Sequence, residues 1–194
     1  MNELVSVVRS FSKKRVLVIG DLMLDKYIFG EVSRISPEAP IQILNAKKRE
    51  FRPGGAANCA NNISSLGGIP ILVGIVGKDE NGLKLIEILK KSKVDTSGII
   101  ISNKCKTIVK ERIVSNNQQL LRVDYEDIES YKTLEKNAVI SKIINKISNV
   151  DSILISDYAK GLLNKDIINT VKKYNKNKPI IVDPKPANID LYKD

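Results

Sequence analysis

The chain has 194 residues, 42% of them hydrophobic and 28% charged, a composition that suits one globular domain able to bury a core. It contains no histidine, which excludes His-based acid–base work, Ser-His-Asp catalysis and the commonest metal ligand. The net charge is +10, but the lysines are scattered (Lys13-Lys14, Lys47-Lys48, Lys90-Lys91, Lys172-Lys173) and few aromatics interleave with them. This favours solvated surface and anionic small molecules over nucleic acid.

Any acid or base must therefore be Asp, Glu, Lys or Tyr, and any metal a hard, oxygen-bound ion such as Mg²⁺. Two cysteines, Cys59 and Cys105, have no repeated spacing and argue against a disulfide framework or zinc site; a reducing cytoplasm is expected. No apolar run has the length to span a bilayer, and residues 1–14 lack a signal-peptide pattern.

Residues 1–12 read as a short helix. Arg15 to Gly20 is an apolar run of the kind that forms a buried parallel strand, with Asp21 and Asp25 beyond its carboxyl end. Tyr27–Gly30 and Ile41–Leu44 read as strands around a Pro-bearing stretch, an excursion rather than a crossover helix. The segment from Arg52 to Gly68 is the organising one. It reads as a glycine turn (Gly54-Gly55) opening a short helix with Ala56, Ala57, Ala60, Ile63 and Leu66 at helical spacing, stopped by Gly67. Asn58 points an amide into the same region.

A strand over Ile71–Gly77 follows, then a helix capped by Asp79. A second excursion, Lys106 to Tyr125, reads as two antiparallel strands around the turn Ser115-Asn116-Asn117. A helix is expected over 131–148, then a strand at Ser152–Ser156, a loop at Asp157–Gly161, a helix from Asn164 and a strand at Pro179–Asp183. The fold class is thus α/β: a mostly parallel sheet flanked by helices, with a small β lid built from the two excursions, about 26–51 and 104–126, within one domain, 1–194. Three strands end in Gly20-Asp21, Ser156-Asp157 and Val182-Asp183, which gathers polar groups at the carboxyl edge, where ligands bind in such sheets.

Several strings in order, covering almost the whole chain, carry a resemblance. They are Gly20-Asp21-Leu22-Met23-Leu24-Asp25, Ser33-Arg34-Ile35-Ser36-Pro37-Glu38-Ala39-Pro40 and Arg52-Pro53-Gly54-Gly55-Ala56-Ala57-Asn58. Further on come Asn117-Gln118-Gln119-Leu120-Leu121-Arg122, Ser156-Asp157-Tyr158-Ala159-Lys160-Gly161 and Asp183-Pro184-Lys185. Together they resemble the ribokinase-type (PfkB) sugar kinases. The SRISPEAP and SDYAKG strings resemble the D-glycero-β-D-manno-heptose-7-phosphate kinase branch.

The resemblance implies a ribokinase-like fold and ATP-dependent phosphorylation, with Mg²⁺, of the 1-hydroxyl of heptose 7-phosphate in ADP-heptose and lipopolysaccharide-core synthesis. It further implies that Asp25 and Asn58 hold sugar hydroxyls, with Gly54 and Gly55 against the ring. Arg34, Arg122, Asp157 and Lys160 join them on the substrate side, and Lys185 is the nucleotide-side cation. A homodimer through the β lid stands as an open option, apart from the resemblance.

The family's Asn-x-x-Glu and Gly-Ala-Gly-Asp motifs do not follow Asp183-Pro184-Lys185 before Asp194. The expectation is therefore the substrate-binding part of a kinase, with no catalytic base and no metal ligand among its own residues and little activity by itself. Another PfkB-type sugar kinase and a non-catalytic sugar-phosphate-binding fragment remain as alternatives. A nicotinamide dehydrogenase is disfavoured, because the first strand is not followed by Gly-x-Gly-x-x-Gly.

Overall fold

The computed structural model describes residues 2–134 and 136–193. Met1 of the first expected helix, Glu135 of the expected 131–148 helix, and Asp194 lie outside the described residues. A short helix, α1 (Asn2–Ser10), precedes the first strand.

The core is a five-stranded parallel sheet in the order β5-β4-β1-β8-β9. Its strands are β1 (Arg15–Gly20), β4 (Ile69–Gly77), β5 (Asp95–Ser102), β8 (Ser152–Ser156) and β9 (Ile180–Asp183). After the exposed Arg15, strand β1 is apolar because it is covered on both faces. Leu17 and Ile19 pack towards α5 (Asn137–Ile147) and α6 (Lys165–Tyr174). Val18 packs towards α2 (Ala56–Ser65) and α3 (Glu80–Lys91). This is the continuous-run signature of a buried parallel strand, and all three side chains are fully buried.

The second sheet is the lid, ordered β3-β2-β6-β7. Strands β2 (Leu22–Ile35) and β3 (Gln42–Gly55) form a long antiparallel hairpin. β6 (Ile108–Ser115) pairs parallel with β2, and β7 (Gln118–Tyr125) pairs antiparallel with β6. The two excursions therefore do meet in one sheet. The β6–β7 turn is made by Asn116 (φ 50°) and Asn117 (φ 62°), both left-handed, as a two-residue hairpin turn requires.

Three sequence expectations need correction. The first lid strands are far longer than four residues: β2 starts at Leu22, immediately past Asp21, and hydrogen bonding on both of its sides keeps polar residues in strand. Gly54-Gly55 is not a free-standing turn but the end of β3, opposite Met23 and Leu22. The expected 131–148 helix is broken into α4 (Ile128–Thr133) and α5. Tyr131 is fully buried and its hydroxyl donates to the Lys106 carbonyl (2.9 Å), which fixes the direction of α4. Leu134 then turns extended, and the Lys136 ammonium reaches back to the Tyr131 carbonyl, satisfying a helix-end acceptor. Strand β5 and the closing 3₁₀ segment (Pro186–Tyr192) carry no strong pattern in the sequence.

Asp79 links core and lid. Its carboxylate caps α3 by accepting from Gly82 N (2.9 Å) and also accepts from Thr107 N (2.8 Å), just before β6. Burial raises this carboxyl, but the bonds from Thr107 and Gly82 outweigh it and hold the group below its ordinary value. A depressed carboxyl stabilises the fold above its unfolded value, and that contribution is lost as pH falls through the folded one. Asp79→Ala is expected to cost about 2 kcal/mol in urea unfolding at neutral pH, one cap plus one stranded N–H. The difference from the unsubstituted protein should shrink on acidification below about pH 4.

Candidate active site

The carboxyl ends of β1, β8 and β9 lie side by side, and the residues just past them build one corner of the molecule. Asp21 is almost fully buried and works as an internal clamp. Its carboxylate accepts from the backbone N–H of Tyr158 (2.9 Å), Lys160 (3.1 Å) and Leu162 (3.3 Å), gathering the loop that follows β8. Burial pushes this carboxyl up, against the pull of those three bonds. The Asp21 carbonyl accepts from Ala56 N (3.0 Å), so the same residue also seats the start of α2.

Gly55 makes the junction between β3 and α2. It lies at φ 58°, and a Cβ there would stand 2.5 Å from the Asp21 carbonyl oxygen, so neither its backbone nor its surroundings admit a side chain. A Cβ at Gly54 would stand 3.0 Å from Asp25 Oδ2, so the missing side chain leaves the carboxylate room. No side chain caps α2.

Between this corner and the lid is a cavity of about 380 Å³, lined among others by Asp25, Gly54, Gly55, Asn58, Arg122, Lys160 and Lys185. Seven of the nine residues expected from the sequence thus meet around one space. Arg34 is not among them: it is exposed near the far end of β2, nine residues and up to about 30 Å along the strand from Asp25. Asp157 is also outside the lining. It is buried, with its oxygens taken by Asn188 Nδ2 (3.0 and 2.9 Å), the Tyr192 hydroxyl (2.7 Å) and Ala159 N (2.7 Å). Its part is to tie the 3₁₀ segment to the loop that carries Tyr158 and Lys160.

Sequence reasoning passed over four lining residues: Met23, Lys110, Arg112 and Tyr158. Parallel register sets Lys110 beside Asp25 and Arg112 beside Tyr27. Arg112 Nη1 donates to Asp25 Oδ1 (2.7 Å), and both side chains are mostly buried. The Arg112 guanidinium lies over the Tyr27 ring (5.3 Å), and that of Arg52 also lies over this ring (4.7 Å). Burial raises the Tyr158 phenol, so it presents a neutral hydroxyl at neutral pH. Lys185 sits over the Tyr158 ring (5.2 Å).

Five cationic side chains and one carboxylate therefore line the cavity, alongside one amide and a stretch of glycine backbone. Carboxylate and amide groups can hydrogen-bond hydroxyls, and ammonium and guanidinium groups can hold anions such as phosphate. Among the described residues, no group of three or more His, Cys, Asp or Glu side chains is placed to hold a metal ion.

The comparison that decides the family is a match to the pfkB family of carbohydrate kinases over residues 13–194. The chain belongs to the pfkB carbohydrate kinase family. Among its curated relatives, the bifunctional protein HldE of Haemophilus influenzae (strain PittEE) is 40% identical over 184 residues, covering 94% of this chain and 38% of that protein. HldE of Aliarcobacter butzleri is 40% identical over 185 residues, covering 93% and 38%. This pfkB chain thus spans a little over a third of the length of the relatives it matches.

Solved structures agree on the fold. A putative ribokinase from Agrobacterium tumefaciens superposes with a TM-score of 0.68 at 22% identity, covering 89% of this chain and 53% of that one. Arabidopsis thaliana ribokinase complexed with ribose and ATP gives 0.61 at 17%, covering 88% and 53%. The ribokinase-like architecture read from the sequence is the one observed. No helix among the described residues is long and apolar enough to cross a membrane.

Proposed function

We propose that this chain supplies the sugar-phosphate side of an ATP-dependent kinase acting on heptose 7-phosphate at its 1-hydroxyl, a step towards ADP-heptose and lipopolysaccharide core. The observation that carries the reading is the cavity in which Asp25, Asn58 and the Gly54-Gly55 backbone face Lys110, Arg112, Arg122, Lys160 and Lys185. The likeness to HldE over nearly the whole chain supports the choice of sugar.

In this reading, Asp25 accepts from sugar hydroxyls and Asn58 both donates and accepts. The glycine pair lets the ring lie against bare backbone. Lys110, Arg112, Arg122 and Lys160 hold the phosphate the sugar already carries, while Lys185 faces the incoming nucleotide. Lid closure over the sugar excludes water, which would otherwise compete for the transferred phosphoryl group. Phosphoryl transfer rests chiefly on positioning and charge neutralisation, so a histidine-free site is adequate for the substrate side. When bound with ATP, Mg²⁺ would neutralise phosphate charge; among the described residues no group of three or more His, Cys, Asp or Glu side chains is placed to hold it.

We further propose that a second copy of the chain packs at the lid tip. Ile35 (68% exposed) and Ile41 (60% exposed) leave apolar surface there, and sedimentation velocity measures the association. A cytoplasmic setting fits two free cysteines and a nucleotide substrate.

Thermal-shift screening against a panel of sugar phosphates tests the substrate. Heptose 7-phosphate is expected to give the largest rise in Tm. A larger rise with fructose 6-phosphate would move the assignment to another sugar within the same family.

A further inference from the structure

Two carboxylates, Asp124 and Glu126, stand at the end of β7 among the cations of the cavity. Asp124 takes Lys110 at 2.8 Å and the fork of Arg122 at 2.8 and 3.2 Å. The Lys110 hydrogen bond, with that of Arg122 and against slight burial, holds the Asp124 carboxyl below its ordinary value. Glu126 grips Lys160 with both oxygens (2.8 and 2.7 Å) and lies 3.8 Å from Lys110.

The geometry at Glu126 is specific. Lys110 belongs to lid strand β6 and Lys160 to the core loop after β8, so one carboxylate is shared by ammonium groups from both halves of the cavity wall. Both lysine side chains are largely buried, at 13% and 16% exposure, and Glu126 is at 23%. An ion pair this sheltered is screened less than one on open surface. A phosphate monoester would ask for the same thing: two ammonium groups converging on neighbouring oxygens.

We propose that Glu126 is an internal counter-anion that holds the Lys110–Lys160 clamp and is displaced by the phosphate of the substrate. It thereby sets a charge threshold. A dianionic phosphate out-competes one carboxylate for two ammonium groups, whereas an unphosphorylated sugar gains nothing from the clamp. Glu126 is then a specificity-determining residue: it keeps the lysines from binding any passing monoanion, and it lowers phosphate affinity to do so. The proposal rests on the sugar-phosphate reading for the identity of the ligand, but not for the behaviour of the clamp.

The test is calorimetric titration of the E126Q protein and its parent with three probes: inorganic phosphate, heptose 7-phosphate and unphosphorylated heptose. Glutamine keeps the shape and removes the charge. A unit charge about 4 Å away, screened as in water, corresponds to about a five-fold change in affinity. E126Q is expected to bind inorganic phosphate and heptose 7-phosphate tighter by about that factor, with heptose unchanged. The E126Q/K160M double variant should lose the gain. E126D, which keeps the charge, should bind phosphate close to the parent and serves if E126Q folds poorly.

Unchanged or weaker inorganic phosphate binding by E126Q would overturn the proposal and leave Glu126 as a group that merely positions Lys160. A gain with inorganic phosphate and no binding of heptose 7-phosphate by either protein would keep the counter-anion and reject the heptose reading.

Discussion

Asp25→Ala is expected to lower affinity for heptose 7-phosphate about a hundredfold, the loss of one or two hydrogen bonds to a charged acceptor. Binding of inorganic phosphate should not fall. Among the described residues, Asp25 is the one carboxylate in the cavity lining, and its partner there is Arg112 at 2.7 Å. Alanine removes the acceptor for sugar hydroxyls and leaves the guanidinium free for an anion. A general collapse of the site would weaken both ligands together, so the divergence of the two titrations separates lost recognition from lost structure. Equal losses would place Asp25 in the scaffold instead.

Asp21→Ala is expected to cost about 3 kcal/mol or more in denaturant unfolding, because three backbone N–H groups lose their acceptor together. The residue is 2% exposed, so water does not readily take the carboxylate's place. Its bonds reach Tyr158, Lys160 and Leu162, so the substitution releases the loop that aims Lys160 and Tyr158 into the cavity. Phosphate affinity should fall with stability. Hydrogen exchange at the Tyr158, Lys160 and Leu162 amides reads the effect locally, and faster exchange there is the expected sign. A variant as stable as its parent, with those amides still protected, would mean that the loop is held by other contacts.

The contrast between these two aspartates shows what the sequence discloses. Both flank Leu22-Met23-Leu24 beyond an apolar strand, and both were legible as polar groups at the sheet's carboxyl edge, Asp25 alone being singled out as a candidate for the ligand. Their roles were not. Asp25 is on a lid strand facing the cavity, while Asp21 is at the junction where β1 ends and β2 begins, turned inward to backbone. Nothing in the local sequence separates a carboxylate that faces an open cavity from one that meets backbone N–H groups. Asp157 repeats the lesson: its partners Asn188 and Tyr192 lie in a 3₁₀ segment without strong periodicity, 31 and 35 residues away.

The parallel core was readable because burial on both faces demands unbroken apolar runs, as in Arg15–Gly20 and Ile71–Gly77. Strand β5 was not, because Asp95, Thr96 and Ser97 open it with polar residues at the edge of the sheet. The cations Lys110 and Arg112 were the costlier omission. Their i, i+2 spacing within Ile108-Val109-Lys110-Glu111-Arg112-Ile113-Val114 puts them on one face of a strand. That pattern was available as a signal. What the sequence withheld was the parallel register of β6 against β2, which sets this face beside Asp25.

Calorimetric titration of heptose 7-phosphate, set beside the same heptose without its phosphate, shows whether the cationic wall recognises the sugar's phosphate. One site per chain is expected, with an affinity for the phosphorylated sugar at least about tenfold tighter, as charge-assisted bonds to the cationic wall require. Equal affinities, or no binding of the phosphorylated sugar, would contradict that expectation.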